Sequence, residues 1–301
     1  MTASMVVTLL GTGSPTPLPD RFGPSALVQA AGQTLLFDAG RGVPIRMHQL
    51  GVPLAKIDAL FLTHFHSDHT SGIPDIWLTR WVRTSGALES TTPFNVIGPV
   101  RTNALMLNLE KAYADDIRVR MAAKPTPSPQ GIAITVKEFD KGGVVYNRNG
   151  VTVTAFEVEH GAEVKPAYGY RIDCDGRSAV LSGDTTYNEN VIKYGRGADL
   201  LVHEVAHARA ELSTDVNFQR IMNHHTLPRL AGSLFSQAKP KLAAYTHFIL
   251  RSSATVPPPS LKDVVAETRR TYSGPLELGE DLMSFAIGEE VTIRRYTDPS
   301  S

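Results

Sequence analysis

The stretch Phe61-Leu62-Thr63-His64-Phe65-His66-Ser67-Asp68-His69-Thr70 packs three imidazoles and a carboxylate into six positions directly after an apolar run. His64 and His66 are two apart, so on an extended segment they lie on one side and can share an ion. Asp68 and His69 come after a turn and point elsewhere, so a second metal is the economical answer. Borderline divalent ions such as Zn²⁺ take neutral imidazole nitrogen and carboxylate oxygen, and a hydrolytic site keeps at least one position for water. The run Ile57 to Leu62 reads as a strand whose end empties these ligands into a loop, the usual way an α/β scaffold presents a site.

Outward from this cluster the same texture recurs three times: an apolar strand ending in a ligand-type residue. His160 follows Phe156-Glu-Val-Glu159, Asp184 stands in Leu181-Ser-Gly-Asp-Thr185, and His247 in Ala244-Tyr-Thr-His-Phe248. Each alone reads as a capped or surface residue. Together with positions 64 to 69 they make a dinuclear site, four strand ends offering ligands to one edge. The single cysteine, Cys174, excludes an intrachain disulfide and a multi-thiolate metal site, and reads as a small strand residue.

The rest of the pattern is α/β. Strands are expected at Val6 to Leu10, Ser25 to Gln29, Thr34 to Phe37, 94 to 97, 132 to 139, 151 to 158, 168 to 173, 178 to 182, 199 to 203, 242 to 246, 282 to 286 and 291 to 295. Helices are expected at 43 to 50, 71 to 84, 100 to 114, 188 to 195, 205 to 220, 226 to 237 and 261 to 271, with a stiff connector at 124 to 129. Two blocks of strands, each followed by helices, predict a sandwich with helices outside. One domain over 1–301 is the expectation at this length.

Thirty basic and thirty acidic residues cancel, without a block of like charge, so the electrostatic footprint of a nucleic-acid binder is missing. The amino end has no basic leader region and reads as a first strand, and no stretch approaches the roughly 18 to 20 apolar residues of a membrane span. A soluble, cytoplasmic protein without a membrane partner is expected.

The chain resembles the metallo-β-lactamase fold hydrolases, whose His-x-His-x-Asp-His signature stands here as His64, His66, Asp68 and His69, followed by His160, Asp184 and His247. Leu10-Gly-Thr-Gly-Ser14, Leu36-Phe-Asp-Ala-Gly40 and Ser182-Gly-Asp-Thr185 support the match. The resemblance implies a four-layer αββα sandwich. It also implies His64, His66 and His160 on one ion, Asp68, His69 and His247 on a second, and Asp184 bridging. Two Zn²⁺ ions are expected, with Mn²⁺ or Fe as substitutes.

Within that superfamily the chain is similar to the ribonuclease Z and arylsulfatase branch, through Val202-His-Glu-Val-Ala206 and His224-His225-Thr226. By that match Asp68, Glu204 and His225 are catalytic, with Glu204 and His225 an acid/base pair beside the metals. Read without the family, Glu204 is a carboxylate just past a strand, and His225 caps the helix beginning near Thr226. Dimers are common in the branch, so a homodimer is compatible. The branch's bacterial ribonucleases carry a long tRNA-clamping arm between the metal His and the bridging Asp. Here that interval is 184 − 160 = 24 positions. Nucleic acid is therefore an unfavoured partner, and a small anionic or ester substrate is expected.

The main expectation is hydrolysis of a phosphodiester or aryl sulfate by water activated between two ions. The alternatives are a lactonase or β-lactamase-like acyl hydrolase and a ribonuclease Z-type tRNA 3′ endonuclease. A redox di-iron protein is disfavoured by the intact His-x-His, and a silent binding module by the full ligand set. Trp77 and Trp81, four apart on one helix face, either wall a pocket or cover the core. Arg21 either meets an anion near the metals or is a solvated loop charge, and the 251 to 259 loop is long enough to shape an entrance. His48, His203, His207 and His224 are treated as structural or surface residues.

Overall fold

The computed structural model describes residues 3–82 and 89–297. The first sheet and its helices come from β1 (Met5–Gly11), β2 (Ser25–Ala30), β3 (Gln33–Phe37), α1 (Val43–Gln49), β4 (Ala59–Phe61), α2 (Ser67–Thr70), α3 (Ile73–Trp81), β5 (Phe94–Pro99), α4 (Thr102–Ala112), α5 (Ala114–Ala122), α6 (Pro129–Ile132) and β6 (Ile134–Phe139). The second comes from β7 (Gly143–Arg148), β8 (Val151–Glu157), β9 (Tyr168–Cys174), β10 (Arg177–Leu181), α7 (Glu189–Gly195), β11 (Leu200–Ala208), α8 (Val216–Met222), α9 (Pro228–Ala238), β12 (Leu242–Arg251), α10 (Leu261–Thr268) and β13 (Leu276–Leu278). The final strands β14 (Ser284–Ile287) and β15 (Val291–Arg294) return to the first sheet, beside β1.

The sheet orders are β15-β14-β1-β2-β3-β4-β5-β6 and β13-β12-β11-β10-β9-β8-β7. Period-two alternation explains how they stack. Leu35 and Phe37 of β3 and Leu200 and Val202 of β11 point into one apolar cluster shared by both sheets. Their sequence neighbours turn outward, Leu36 to a cluster with α1 and α3, and Leu201 to a cluster with α7, α9 and α10. With both faces covered, the central strands read as continuous apolar runs rather than alternating ones. The result is the expected α/β sandwich with helices outside two sheets.

The differences from expectation have physical causes. The helix expected over 205 to 220 begins as strand, because Val205, Ala206, His207 and Ala208 pair with Phe248, Ile249, Leu250 and Arg251 of an equally prolonged β12. Only Val216–Met222 of that span is α-helix. The helix expected over 100 to 114 divides at Tyr113 into α4 and α5. β7 and β13 were not expected, and both lie at a sheet edge where burial imposes little pattern. The end of the helix expected at 71 to 84 lies outside the described residues beyond Val82. Among the described residues no helix is long and apolar enough to cross a membrane.

Trp77 and Trp81 are fully buried, their indole N–H groups donating to Ile132 O and Ser128 O at 2.9 and 2.8 Å. They cover the core beneath the 128–132 connection and wall no pocket at the cluster. Arg21 is also engaged. Its guanidinium donates to Thr12 Oγ1 at 2.6 Å and Gly279 O at 3.0 Å and stacks on Phe248, 4.3 Å from its centroid. It ties loops together and is not turned toward an anion at the cluster.

Candidate metal centre

Three connections and one strand bulge at one edge of the sandwich bring the predicted residues together. His64 and His66 follow β4, Asp68 and His69 lie on α2, His160 follows β8, and Asp184 follows β10. Gly183 makes the last placement, with φ 62° and a missing Cβ that would sit 2.5 Å from Tyr168 O. Only glycine takes that turn without strain. His247 arrives by a different device. In the β11–β12 ladder Glu204 faces Thr246 and Val205 faces Phe248, so His247 is an extra residue, at φ 46°. A bulge of this kind re-aims one side chain without ending the strand.

One ligand-type atom each from His64, His66, His160 and Asp184 lies within 4.8 Å of the others, as do those of Asp68, His69 and His247. Asp184 Oδ2 sits between the two groups, 3.3 Å from His69 Nε2, 3.2 Å from His247 Nε2, 3.7 Å from His160 Nε2 and 4.0 Å from His64 Nε2. A third set, Asp184, His225 and His247, meets the same distance limit. All seven residues of the predicted ligand set are thus gathered at one place.

Three of the outer nitrogens are fixed from behind. His64 Nδ1 is 2.9 Å from Thr63 Oγ1, His160 Nδ1 donates to His224 O at 2.8 Å, and His69 Nδ1 lies 2.7 Å from Asp38 Oδ2. Such partners set tautomer and ring angle, and they turn the other nitrogen inward. Asp38 also accepts from Thr63 N at 2.9 Å and Thr63 Oγ1 at 2.8 Å, and it adopts φ 55° at the end of β3. In the sequence Asp38 stands within Leu36-Phe-Asp-Ala-Gly40, a supporting match that carries no role for it. The available signal was a carboxylate directly after a buried strand, needing a partner.

The residues fit a divalent metal. His64 Nε2 and His69 Nε2 are buried without a hydrogen-bond partner, and leaving such a group unpaired costs about 1–3 kcal/mol. A cation accepting those lone pairs removes that cost, and an imidazole and carboxylate set suits zinc, manganese or iron. Charge is arranged accordingly. Burial alone would raise the Asp184 carboxyl, but His247 and His69 outweigh it and hold it well below the ordinary range. Burial opposes charge on His69, yet Asp184 and Asp38 lift it well above its ordinary value. His160 is pushed by burial down to about 4, so it is neutral and free to ligate near pH 7.

Beside this cluster Glu204 Oε1, on fully buried Glu204, lies 3.2 Å from His225 Nδ1 and accepts from Thr226 N at 3.0 Å and Thr185 N at 3.3 Å. Burial and then Asp184 raise the Glu204 carboxyl well above its usual range. His225 is brought down to about 4, by burial first. His225 does not cap α9, whose N-cap is Leu227. Of the remaining histidines, His203 is buried with Nδ1 2.6 Å from Glu204 O, and His224 is 3.7 Å from Glu163.

The cluster opens into a cavity of about 610 Å³, lined by His66, Asp68, His160, Asp184, His225 and His247 on its floor and by Asn217, Arg220, Ile221, Ile249, Leu250 and Arg251 on its outer wall. Of the 251 to 259 loop only Arg251 reaches this lining.

A ribonuclease Z from Mycobacterium bovis (strain BCG / Pasteur 1173P2) is 37% identical over 282 residues, covering 92% of this chain and 96% of the relative. The chain belongs to the ribonuclease Z family of metallo-β-lactamase fold hydrolases. The hydrolase also matches, over residues 5–229, the family model described as "Anti-Pycsar protein Apyc1". Human tRNase Z, short form, shares the fold at TM-score 0.69 and 20% identity, covering 94% of this chain and 99% of that one. Zn²⁺-bound PqqB from Methylobacterium extorquens shares it at TM-score 0.62 and 16% identity, covering 93% and 99%. This hydrolase is a metal-dependent enzyme. The relatives' name runs against the expectation that nucleic acid is an unfavoured partner and lends no support to an aryl sulfate. The short interval after His160 loses its force as well. A match 282 residues long that covers 96% of the M. bovis protein leaves no room in that relative for a long arm.

Proposed function

We propose that this hydrolase is a ribonuclease Z-type phosphodiesterase acting on an RNA phosphodiester near a 3′ end, working as one catalytic domain. His64, His66 and His160 would hold one divalent ion, Asp68, His69 and His247 a second, with Asp184 shared; zinc is the first choice for both. When bound, such ions lower the pKa of water toward neutrality and offset charge on phosphoryl oxygens. The observation that carries the reading is the Glu204–His225 pair, 3.2 Å apart and facing the Asp184 side of the cluster. A hydrolase of activated esters has little use for such a pair, whereas the poor alkoxide leaving group of RNA needs a proton.

In this mechanism Glu204 holds His225 through Nδ1, so that Nε2 faces the leaving oxygen. The resting imidazole is neutral because it is buried; the negative charge of a phosphodiester beside it favours the protonated form. His225 then gives its proton to the departing ribose oxygen, a contribution of typically 10²- to 10⁴-fold for general acid catalysis. Thr185 and Thr226 keep the Glu204 carboxyl in place through their backbone N–H groups.

Metal-analysed protein would be assayed in parallel on a precursor tRNA with a 3′ trailer, bis(p-nitrophenyl) phosphate, p-nitrophenyl sulfate and a lactone. The reading requires cleavage of the precursor at a defined 3′ site and phosphodiester turnover well above that of sulfate and lactone. A sulfate or lactone preference would sink it.

A further inference from the structure

The cavity over the metal cluster is larger than a phosphodiester group needs. At about 610 Å³ it lies within the range of sites that enclose a whole small molecule, about 300–1,000 Å³. Outside the cluster its lining comes from α8, the end of β12, Ser14–Thr16, and Glu163 and Val164. Asn217, Arg220 and Ile221 all line it, at the i, i+3 and i+4 positions that share one helical face. Ile249 and Leu250 of β12 continue the apolar part of that wall. Asn217 and Arg220 are exposed, and no ion pair among the described residues engages Arg220, whereas the neighbouring His224 lies against Glu163 at 3.7 Å. An amide, a guanidinium and an aliphatic surface thus line the same cavity as Asp68, His160, Asp184 and His247.

We propose that this face of α8 is a nucleotide-recognition subsite: the base lies against Ile221, Ile249 and Leu250, Asn217 hydrogen-bonds its edge, and Arg220 pairs with the phosphate beyond the scissile one. The proposal rests on the phosphodiesterase reading and names what that substrate must carry. A base has two apolar faces and a donor-acceptor edge, and a side-chain amide matches such an edge with two hydrogen bonds. Guanidinium matches a phosphate in the same two-point way. A plain aryl ester would use the aliphatic wall and leave both polar groups idle. Ile221 also packs on Met222, Ala206 and Ile249, so the base-contacting surface is braced from behind.

The test keeps the broken bond and leaving group constant. Bis(p-nitrophenyl) phosphate is compared with the 5′-(p-nitrophenyl phosphate) esters of uridine and adenosine, and with the same esters phosphorylated at the 3′ position. The metal-loaded wild type should favour a nucleoside ester over the bis-aryl ester by about tenfold or more in kcat/KM, since one good two-point contact is worth that much. The 3′-phosphate should add a further gain. N217A should abolish most of the first preference and R220Q most of the second, both through KM, and R220K should restore part of the latter. Both residues are exposed, so these variants are expected to fold. A second readout needs no turnover: binding of adenosine 3′,5′-bisphosphate by calorimetry, weakened about tenfold in N217A/R220Q. Equal kcat/KM on all three substrate types in the wild type, or equal losses on all three in the variants, would overturn the subsite. Absence of phosphodiester turnover on every substrate would overturn the phosphodiesterase reading instead, and the calorimetric result would still judge α8.

Discussion

The floor and the outer wall of one cleft are built on opposite principles. On the floor Asp68, His160, Asp184 and His247 are each no more than 4% exposed. Asp38, Thr63 and the backbone of His224 hold the outward nitrogens of the floor histidines, so ring orientation is fixed before any substrate arrives. The wall is a two-turn helix whose Val216 is 76% exposed and whose Asn217 and Arg220 face solvent. Chemistry that depends on fixed atoms demands a rigid, costly floor. Selectivity needs only a surface that can change without unfolding the protein.

The sharpest way to break this contrast is to remove Asp184, whose Oδ2 lies within 4.0 Å of histidines in both ligand groups. Asp184→Ala should lose bound metal by elemental analysis and depress kcat/KM about 10⁴-fold or more, corresponding to several kcal/mol of lost charge stabilisation. Full activity in that variant would end the two-ion assignment. His225→Ala comes next and separates a proton donor from a ligand. As a donor its removal leaves metal content intact and lowers kcat about 10²- to 10⁴-fold, more for RNA than for an aryl ester whose phenolate leaves unaided. Loss of metal would instead move His225 into the third ligand group with Asp184 and His247.

Asp38→Ala touches no substrate and should still weaken metal affinity about 10- to 100-fold, because His69 loses the group that aims it. A related effect is read by pH. In the metal-free protein Asp184 and Asp38, outweighing burial, keep a proton on His69 above its ordinary 6.5, and a divalent ion must displace it. Metal affinity should therefore fall with falling pH, by up to about tenfold per unit for each proton displaced. For stability of the metal-free protein the sign reverses. A raised imidazole contributes fully below its unfolded value near 6.5, and the contribution is lost as the pH climbs through the raised folded value. Melting temperatures of metal-free protein between pH 6 and 9 should decline accordingly, and a rising curve would refute the His69 assignment.

Sequence legibility followed the same divide. The floor was readable because its residues are chemically unusual at strand ends: His64, His66, Asp68, His69, His160, Asp184 and His247 needed no tertiary knowledge to be suspected. Asp38 escaped because a carboxylate after a strand has many ordinary uses, and only the fold brings it within 2.7 Å of His69. The β12 bulge escaped because a single extra residue leaves no trace in a pattern, so the strand was expected to stop at 246 although it runs to Arg251. α8 was hidden within a longer apparent helix whose first residues belong to β11. The substrate was least legible. Net charge and the short interval after His160 argued against RNA, yet that interval does not set this chain apart from a relative named ribonuclease Z.

The smallest expected effect probes the core away from the cleft. Trp77 lies in the layer between the first sheet and its helices, buried, with its indole N–H on Ile132 O at 2.9 Å. Trp77→Phe removes that hydrogen bond, leaves a buried carbonyl unpaired and opens a small void, a cost of about 1–3 kcal/mol in stability. Thermal unfolding should move down by several degrees. Metal content and kcat/KM at 25 °C should stay within about twofold, because nothing in that layer lines the cavity over the metals. If turnover fell with stability in proportion, the floor would draw its rigidity from the helix behind it. The contrast between a fixed floor and a variable wall would then extend through the whole first sheet rather than ending at Asp38.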